Sequence, residues 1–409
     1  MQTIILSIGL VVFFAHFLSI QFRKTNIPDV LVLMLLGILI GPVLGIVLPE
    51  YFGKVGSVVA TIALVVILFE SGTSLNLSVL GDSMGATGKL TFTCFVLTAA
   101  IVVLTSMYVL HLSLIASALL GIILAGTSSA VVIPIVNSLQ LGQKASTVLV
   151  LESALTDVLC IVGVFALLQV ATQGGVDPGK LIGSVMAALM FAAIIGIFGG
   201  LGWMLVLSKV RGFPNTISST LAFVFIVYGV TESLGFSGAI AALSLGVALN
   251  NAKQLGFTKI KLLAKQEITP LTEMDLTFYR EAVFLLKTYF FVYLGISIHF
   301  RSADLAITAL IMVLLIFAMR LVLSRFIYSN QEFSLRDTAI SSMMAPKGLA
   351  AAVLATVPMQ FGVEGAEIIR DTTYMVVLVS ISFCALLVIL YPLPWVKAFY
   401  AAVLGKPVK

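Results

Sequence analysis

The stretch VLVLESALTDVLCIVGVFALLQVA (148–171) decides how this chain is read. Its length and apolar content suit a helix crossing a bilayer, which takes roughly 20 residues. Yet its first half carries two carboxylates, Glu152 and Asp157. Charge at bilayer depth is costly, so such a residue marks a functional site by default. At about 3.6 residues per turn the two acids stand roughly 140° apart around the axis, so they do not share a face. Ser153 lies one turn from Asp157, and Thr156 one turn from Glu152. The pattern gives the carboxylates different jobs: Asp157 accessible to an ion with a hydroxyl beside it, Glu152 buried and in need of a cationic partner. Lys347 is the partner expected.

The rest of the chain agrees with a membrane setting. Of its 409 residues, 60% are hydrophobic and 10% charged, with a mean hydropathy of +1.17, far outside the soluble globular range. We read about thirteen apolar segments able to cross or nearly cross a bilayer: 3–22, 28–48, 57–77, 89–110, 114–137, 146–171, 180–208, 214–232, 236–250, 279–298, 304–327, 337–358 and 372–394. With the N-terminus outside, only Lys54, Lys180, Arg301 and Arg370 fall in outer loops, and the remaining loop lysines and arginines fall inside, as the positive-inside rule requires. The net charge of +5 is therefore no sign of nucleic-acid binding. Basic residues follow rather than precede the first segment, so it is expected to remain in the mature protein, and no soluble domain is expected. The C-terminus is placed in the cytoplasm, and the membrane is expected to be a prokaryotic plasma (inner) membrane.

Cys94, Cys160 and Cys384 sit in apolar runs and suit helix packing, not a disulfide or metal site. His16, His111 and His299 fall near segment ends. No paired aspartates or Ser/His arrangement supports an intramembrane enzyme, and no cofactor is expected. For the polar connection 251–278, an inner-surface amphipathic helix and a plain connector both fit.

Other charges at membrane depth are Glu70, Lys287 and Arg320. Glu70 fits a structural role as well as one in transport; Lys287 and Arg320 have stems long enough to snorkel. Two stretches break the helical pattern: AGTSSAVVIPIVNS (125–138), with Gly126 and Pro134, and MMAPKGLAAAVLATVP (343–358), with Pro346, Lys347 and Gly348. They read as interrupted helices of two inverted repeats, crossing at the midplane to build an ion site, although Gly and Pro are also simply common in membrane helices.

With these residues assembled, the sequence resembles the monovalent cation/proton antiporter superfamily, most closely its sodium/proton exchanger branch. IPDVLVLMLLGILIGP (27–42) is similar to the family's second span, ILFESGTSLNL (67–77) to its Leu-Phe-Glu-Gly-Gly stretch, and TESLGFSGAIAALSLGVALNN (231–251) to its Gly-x-Ser-Gly-x-x-Ala run. FFVYLGISI (290–298) resembles its Phe-x-Phe-x-x-Leu-Gly segment, and APKGLAAAVLA (345–355) its Pro-Arg-Gly motif with Lys347 in place of arginine. The resemblance implies an all-α transporter that works as a homodimer. A mobile core (roughly 87–171 and 304–394) would carry the ion past a scaffold and dimerisation part (roughly 1–50 and 180–250). It makes Asp157 the ion-binding aspartate, Glu152 the glutamate and Thr156 the asparagine of the Glu-Ser-x-x-Asn-Asp motif, with Lys347 as the basic partner of Glu152. Thr127, Ser128 and Ser129 match the Thr-Asp-Pro of the unwound helix, though TSSA also resembles the Ser-Ser-Thr-Ala of the potassium-efflux branch.

The expected function is exchange of Na⁺ or K⁺ for H⁺. Asp157 would bind either a proton or a cation, and Thr127, Ser128, Ser129, Ser153 and Thr156 would complete an oxygen shell. With Lys347 held charged by Glu152, exchange should be electroneutral, one for one. Loss of the family's second carboxylate weakens the field and favours K⁺ over Na⁺. A gated K⁺ channel without proton coupling is the main alternative, and an organic-anion carrier a weaker one. A regulatory subunit on the 251–278 segment is left open.

Overall fold

The computed structural model describes residues 9–10, 13–17, 28–49, 53–75, 77–173, 178–210, 216–252, 254–255, 271–298, 303–328 and 333–406. The first expected span (3–22) and the middle of the 251–278 connection lie largely outside these. Among the described residues all regular structure is helical. Six stretches among the described residues are long and apolar enough to cross a membrane: Thr87–Val109, Leu114–Val136, Gln143–Ala171, Met190–Leu207, Asp304–Ile327 and Ala366–Leu390.

In chain order the helices are α1 (Asp29–Ile38, continued as a π-helical turn over Leu39–Val43), α2 (Gly53–Ser74), α3 (Leu77–Val109), α4 (Leu114–Ala125), α5 (Ser129–Leu139), α6 (Gln143–Gln173), α7 (Pro178–Val210), α8 (Thr216–Ser233), α9 (Gly238–Asn250), α10 (Glu273–Ile296), α11 (Ala303–Ile327), α12 (Leu335–Met343), α13 (Leu349–Leu354), α14 (Val357–Gln360), α15 (Ala366–Leu390) and α16 (Pro394–Leu404). They group into two compact units. One comprises Met1–Gly56, Ser83–Gly174 and Thr288–Lys409, the other Ser57–Asp82 and Gly175–Lys287.

In the second unit α9 is the central element, buried on most of its length and packed on α7 and α8. More than half of it is alanine, glycine and serine, which lets backbones approach closely. A Cβ on Gly246 would meet the Phe69 carbonyl of α2, and one on Gly72 the Leu243 carbonyl of α9. Below α9, Asn251 ties the α2–α3 junction. Its Nδ2 donates to the Leu75 carbonyl at 2.7 Å and its Oδ1 accepts from Leu77 N at 2.8 Å.

The first unit holds both interrupted helices. The chain leaves helical conformation at Gly126 (ψ 159°) and re-enters it after Ser128 (ψ 109°). The expected break was drawn across 125–138, but the structure confines it to Gly126–Ser128 and carries Pro134 inside α5. The second break runs from Met344 to Gly348. Pro346 has no N–H to donate and disfavours helical backbone at the residue before it, which ends α12 there. Two helix starts fall earlier than apolar content suggested. Thr272 and Asp275 form a reciprocal capping box, with Asp275 N donating to Thr272 Oγ1 at 3.2 Å and Thr272 N to Asp275 Oδ2 at 2.7 Å, so α10 starts inside the stretch read as connection. Ser334 likewise caps α12 by accepting from Asp337 N at 3.0 Å.

Candidate functional site

The two breaks touch. Ser128 N donates to the Pro346 carbonyl at 2.8 Å, and Lys347 Nζ to the Gly126 carbonyl at 3.0 Å. Lys347 N finds Ser380 Oγ of α15 at 2.9 Å. Helix ends leave backbone groups without partners, and here each break supplies part of what the other lacks. Gly348 makes the approach feasible: a Cβ at that position would collide with the Ser128 side chain.

α6 passes beside this crossing and presents its polar residues to it. Thr127 N donates to Thr156 Oγ1 at 3.1 Å, Thr156 Oγ1 donates to the Ser153 carbonyl at 3.1 Å, and Thr127 Oγ1 donates to Ser153 Oγ at 3.2 Å. Ser129, the first residue of α5, donates to Asp157 Oδ2 at 3.2 Å. The six residues expected to form an oxygen shell (Asp157, Thr156, Ser153, Thr127, Ser128 and Ser129) are thus all buried and gathered at one place. The structure divides them, however. Thr127, Ser153 and Thr156 bond mutually and brace the first break; Ser129 faces Asp157; Ser128 Oγ, buried, has no partner.

The expected Glu152–Lys347 pair is not what the structure contains. Glu152 is bound by Arg320 of α11, whose Nη1 and Nη2 donate to Oε1 and Oε2, each at 2.6 Å. Both side chains are at most 2% exposed. The physical reason is the guanidinium fork: it satisfies both carboxylate oxygens at once, where an ammonium is a point charge. Arg320 Nε donates to the Ser341 carbonyl at 2.9 Å, and Nη1 reaches Cys94 Sγ at 3.8 Å. Lys347 instead spends its charge on the carbonyl that ends α4, where the helix macrodipole is negative. Among the described residues the ion pairs are Glu152–Arg320 and Arg370–Asp371, and Asp157 joins neither.

Glu70 and Lys287 belong to the second unit, where Arg280 and Lys287 of α10 lie within electrostatic reach of Glu70. The half-buried Arg370–Asp371 pair on α15 and the role of Ser380 escaped sequence reading. Arg370 had passed for a loop residue, and a serine inside a long apolar helix carries no distinguishing signal. No group of three metal-ligating side chains occurs among the described residues.

The family model of the sodium/hydrogen exchanger, transmembrane, matches residues 9–389. The K(+)/H(+) antiporter NhaP2 of Shewanella sp. (strain MR-4) is 24% identical over 371 residues, covering 88% of this chain and 61% of its own length. A probable Na(+)/H(+) antiporter 2 of Methanocaldococcus jannaschii is 22% identical over 307 residues, 70% of each chain. The chain thus spans 61% of the NhaP2 relative. The solved structure of the sodium proton antiporter MjNhaP1 from Methanocaldococcus jannaschii at pH 8 superposes with a TM-score of 0.75 at 20% identity over 99% of both chains, which establishes a shared helical fold.

Proposed function

This chain belongs to the transmembrane sodium/hydrogen exchanger family, and from that premise we propose that it exchanges a monovalent cation, Na⁺ or K⁺, for H⁺. The observation that carries the proposal is the contrast between two buried carboxylates on one helix. Glu152 is neutralised by a bidentate arginine, whereas Asp157 has a hydroxyl from Ser129 and no ion pair. A buried carboxylate without a cation is costly. Asp157 therefore takes up either a proton or a metal cation, and competition for one site couples the two fluxes.

Ser129, bonded to Asp157, and the unpartnered Ser128 Oγ one residue before it are available as oxygen donors. Thr127, Ser153 and Thr156 hold the unwound segment open and offer their remaining lone pairs behind it. A shell of hydroxyls with one carboxylate has a weak field, which favours the more easily dehydrated K⁺. Glu152 and Arg320 cancel, and Lys347 keeps its proton at the negative end of α4. One cation then exchanges for one proton with no net charge. The core moves as an elevator in a homodimer when Asp157 is neutralised by either ligand, with the N-terminus outside and the C-terminus inside the plasma membrane.

The test is proton flux in proteoliposomes holding a pH gradient, with K⁺ and Na⁺ added separately. A cation should dissipate the gradient at a rate independent of imposed voltage, and Asp157→Asn should abolish the effect. Gradient loss that follows voltage contradicts electroneutrality; no response to either cation contradicts exchange.

A further inference from the structure

Five buried hydroxyls lie on the helix faces that run from the Glu152–Arg320 pair, poorly supplied with hydrogen-bond partners. Thr87 and Thr91 belong to α3, Ser324 to α11, Tyr328 to the turn that ends it, and Ser341 to α12. Each is at most 4% exposed; the side-chain oxygens of Thr87, Thr91 and Ser324 are unpartnered, and those of Tyr328 and Ser341 have only each other within reach.

Their placement is concerted. Thr87, Thr91 and Cys94 follow an i, i+4, i+7 spacing and so share one face of α3. Arg320, Ser324 and Tyr328 follow i, i+4, i+8 along α11. The two faces meet where Arg320 Nη1 reaches Cys94 Sγ. They meet again further along, because Leu90 and Cys94 share a buried cluster with Tyr328 and Phe333. Ser341 closes the group from α12: its carbonyl accepts from Arg320 Nε. The Tyr328 phenol lies within hydrogen-bonding reach of the Ser341 side chain and within electrostatic reach of Glu152, Arg320 and Cys94.

Native interiors seldom keep several unpaired hydroxyls in one place, and when they do, bound water commonly satisfies them. We propose that α3, α11 and α12 enclose a pocket of bound water, lined by Thr87, Thr91, Ser324, Tyr328 and Ser341, that hydrates the Glu152–Arg320 pair. Water is the ligand this chemistry selects. The lining hydroxyls are neutral and both donate and accept, and the two charges beside them cancel, so neither an anion nor a cation is favoured. Buried ion pairs are penalised by lost hydration. Water in this pocket returns part of it, donating to the spare lone pairs of Glu152 and holding the pair ionised inside the membrane. Nothing in this depends on the transport reaction; the pocket stands whether or not the chain exchanges ions.

X-ray hydroxyl-radical footprinting of the full chain in detergent tests the proposal, because radicals form where water is bound. Tyr328 is expected to be modified about tenfold faster than Phe69, packed in an apolar cluster, and Phe291, packed on the Phe290 ring, which are equally buried. Thr91→Val should lower Tyr328 labelling severalfold and should not raise the melting temperature, since it removes a partner of the water. A Tyr328 rate no higher than that of Phe291 overturns the proposal. So does a melting temperature that rises in Thr91→Val, since that is the result of deleting a dry, unsatisfied hydroxyl.

Discussion

Breaking the Glu152–Arg320 pair should be among the most damaging single changes this fold can suffer. Two charge-assisted hydrogen bonds of 2.6 Å join side chains that are 1% and 2% exposed. Removing one partner of such a pair strands a buried charge and costs about 3–5 kcal/mol. Glu152→Gln removes the negative charge and one of the two oxygens that accept from Arg320, leaving a buried guanidinium with no anion, and Arg320→Met leaves the glutamate bare; each is expected to fall in that range. Replacing both, Glu152→Gln with Arg320→Met, leaves no isolated charge and should recover at least about 2 kcal/mol of the summed loss, since contacting residues couple by 0.5–3 kcal/mol. The assay is reversible unfolding in mixed micelles of increasing SDS content, run as a double-mutant cycle, with a second cycle pairing Glu152→Gln and Lys347→Met. Coupling in that second cycle should stay below about 1 kcal/mol, because Lys347 bonds Gly126 and not Glu152. A larger coupling to Lys347 than to Arg320 would refute the reasoning.

Other consequences are equally direct. Gly348→Ala drives a methyl into Ser128 and should cost at least about 1–3 kcal/mol; the melting temperature should fall and recover partly in Gly348→Ala with Ser128→Gly. Asn251→Ala leaves the half-buried N–H of Leu77 without its acceptor and takes one of two donors from the Leu75 carbonyl, which keeps Asn250 Nδ2, a loss of about 1–3 kcal/mol visible as earlier thermal unfolding. Ser129→Ala removes the hydroxyl on Asp157, and a hydrogen bond to a charged group is worth about 1.5–3 kcal/mol, so the cation concentration giving half-maximal flux should rise at least about tenfold.

What the sequence made legible is what local rules govern. The angular separation of Glu152 and Asp157 follows from helix geometry alone, and in the structure the two acids have separate partners, Arg320 and Ser129. The second break was readable because Pro346 cannot continue a helix. Pro134 misled for the same reason: α5 absorbs it within a regular helix. The partner of Glu152 was not readable, since choosing between Arg320 and Lys347 needs the packing of α6 against distant helices. Hydropathy also overlooked α16, whose 11 residues are too few to cross a bilayer and include Lys397. Capping was the signal missed at the start of α10: Thr272 and Asp275 have the spacing of a capping box, but they lie in polar sequence that was read as connection.

The most direct test of the central claim, one carboxylate holding either a proton or a cation, is to count protons. Purified protein in weakly buffered detergent is titrated with K⁺ or Na⁺, and proton release is followed with a pH indicator. The account predicts up to one proton released per cation bound, approaching one at a pH where Asp157 starts protonated, and none from Asp157→Asn. Cation binding without proton release at any pH, or undiminished release from Asp157→Asn, would contradict it.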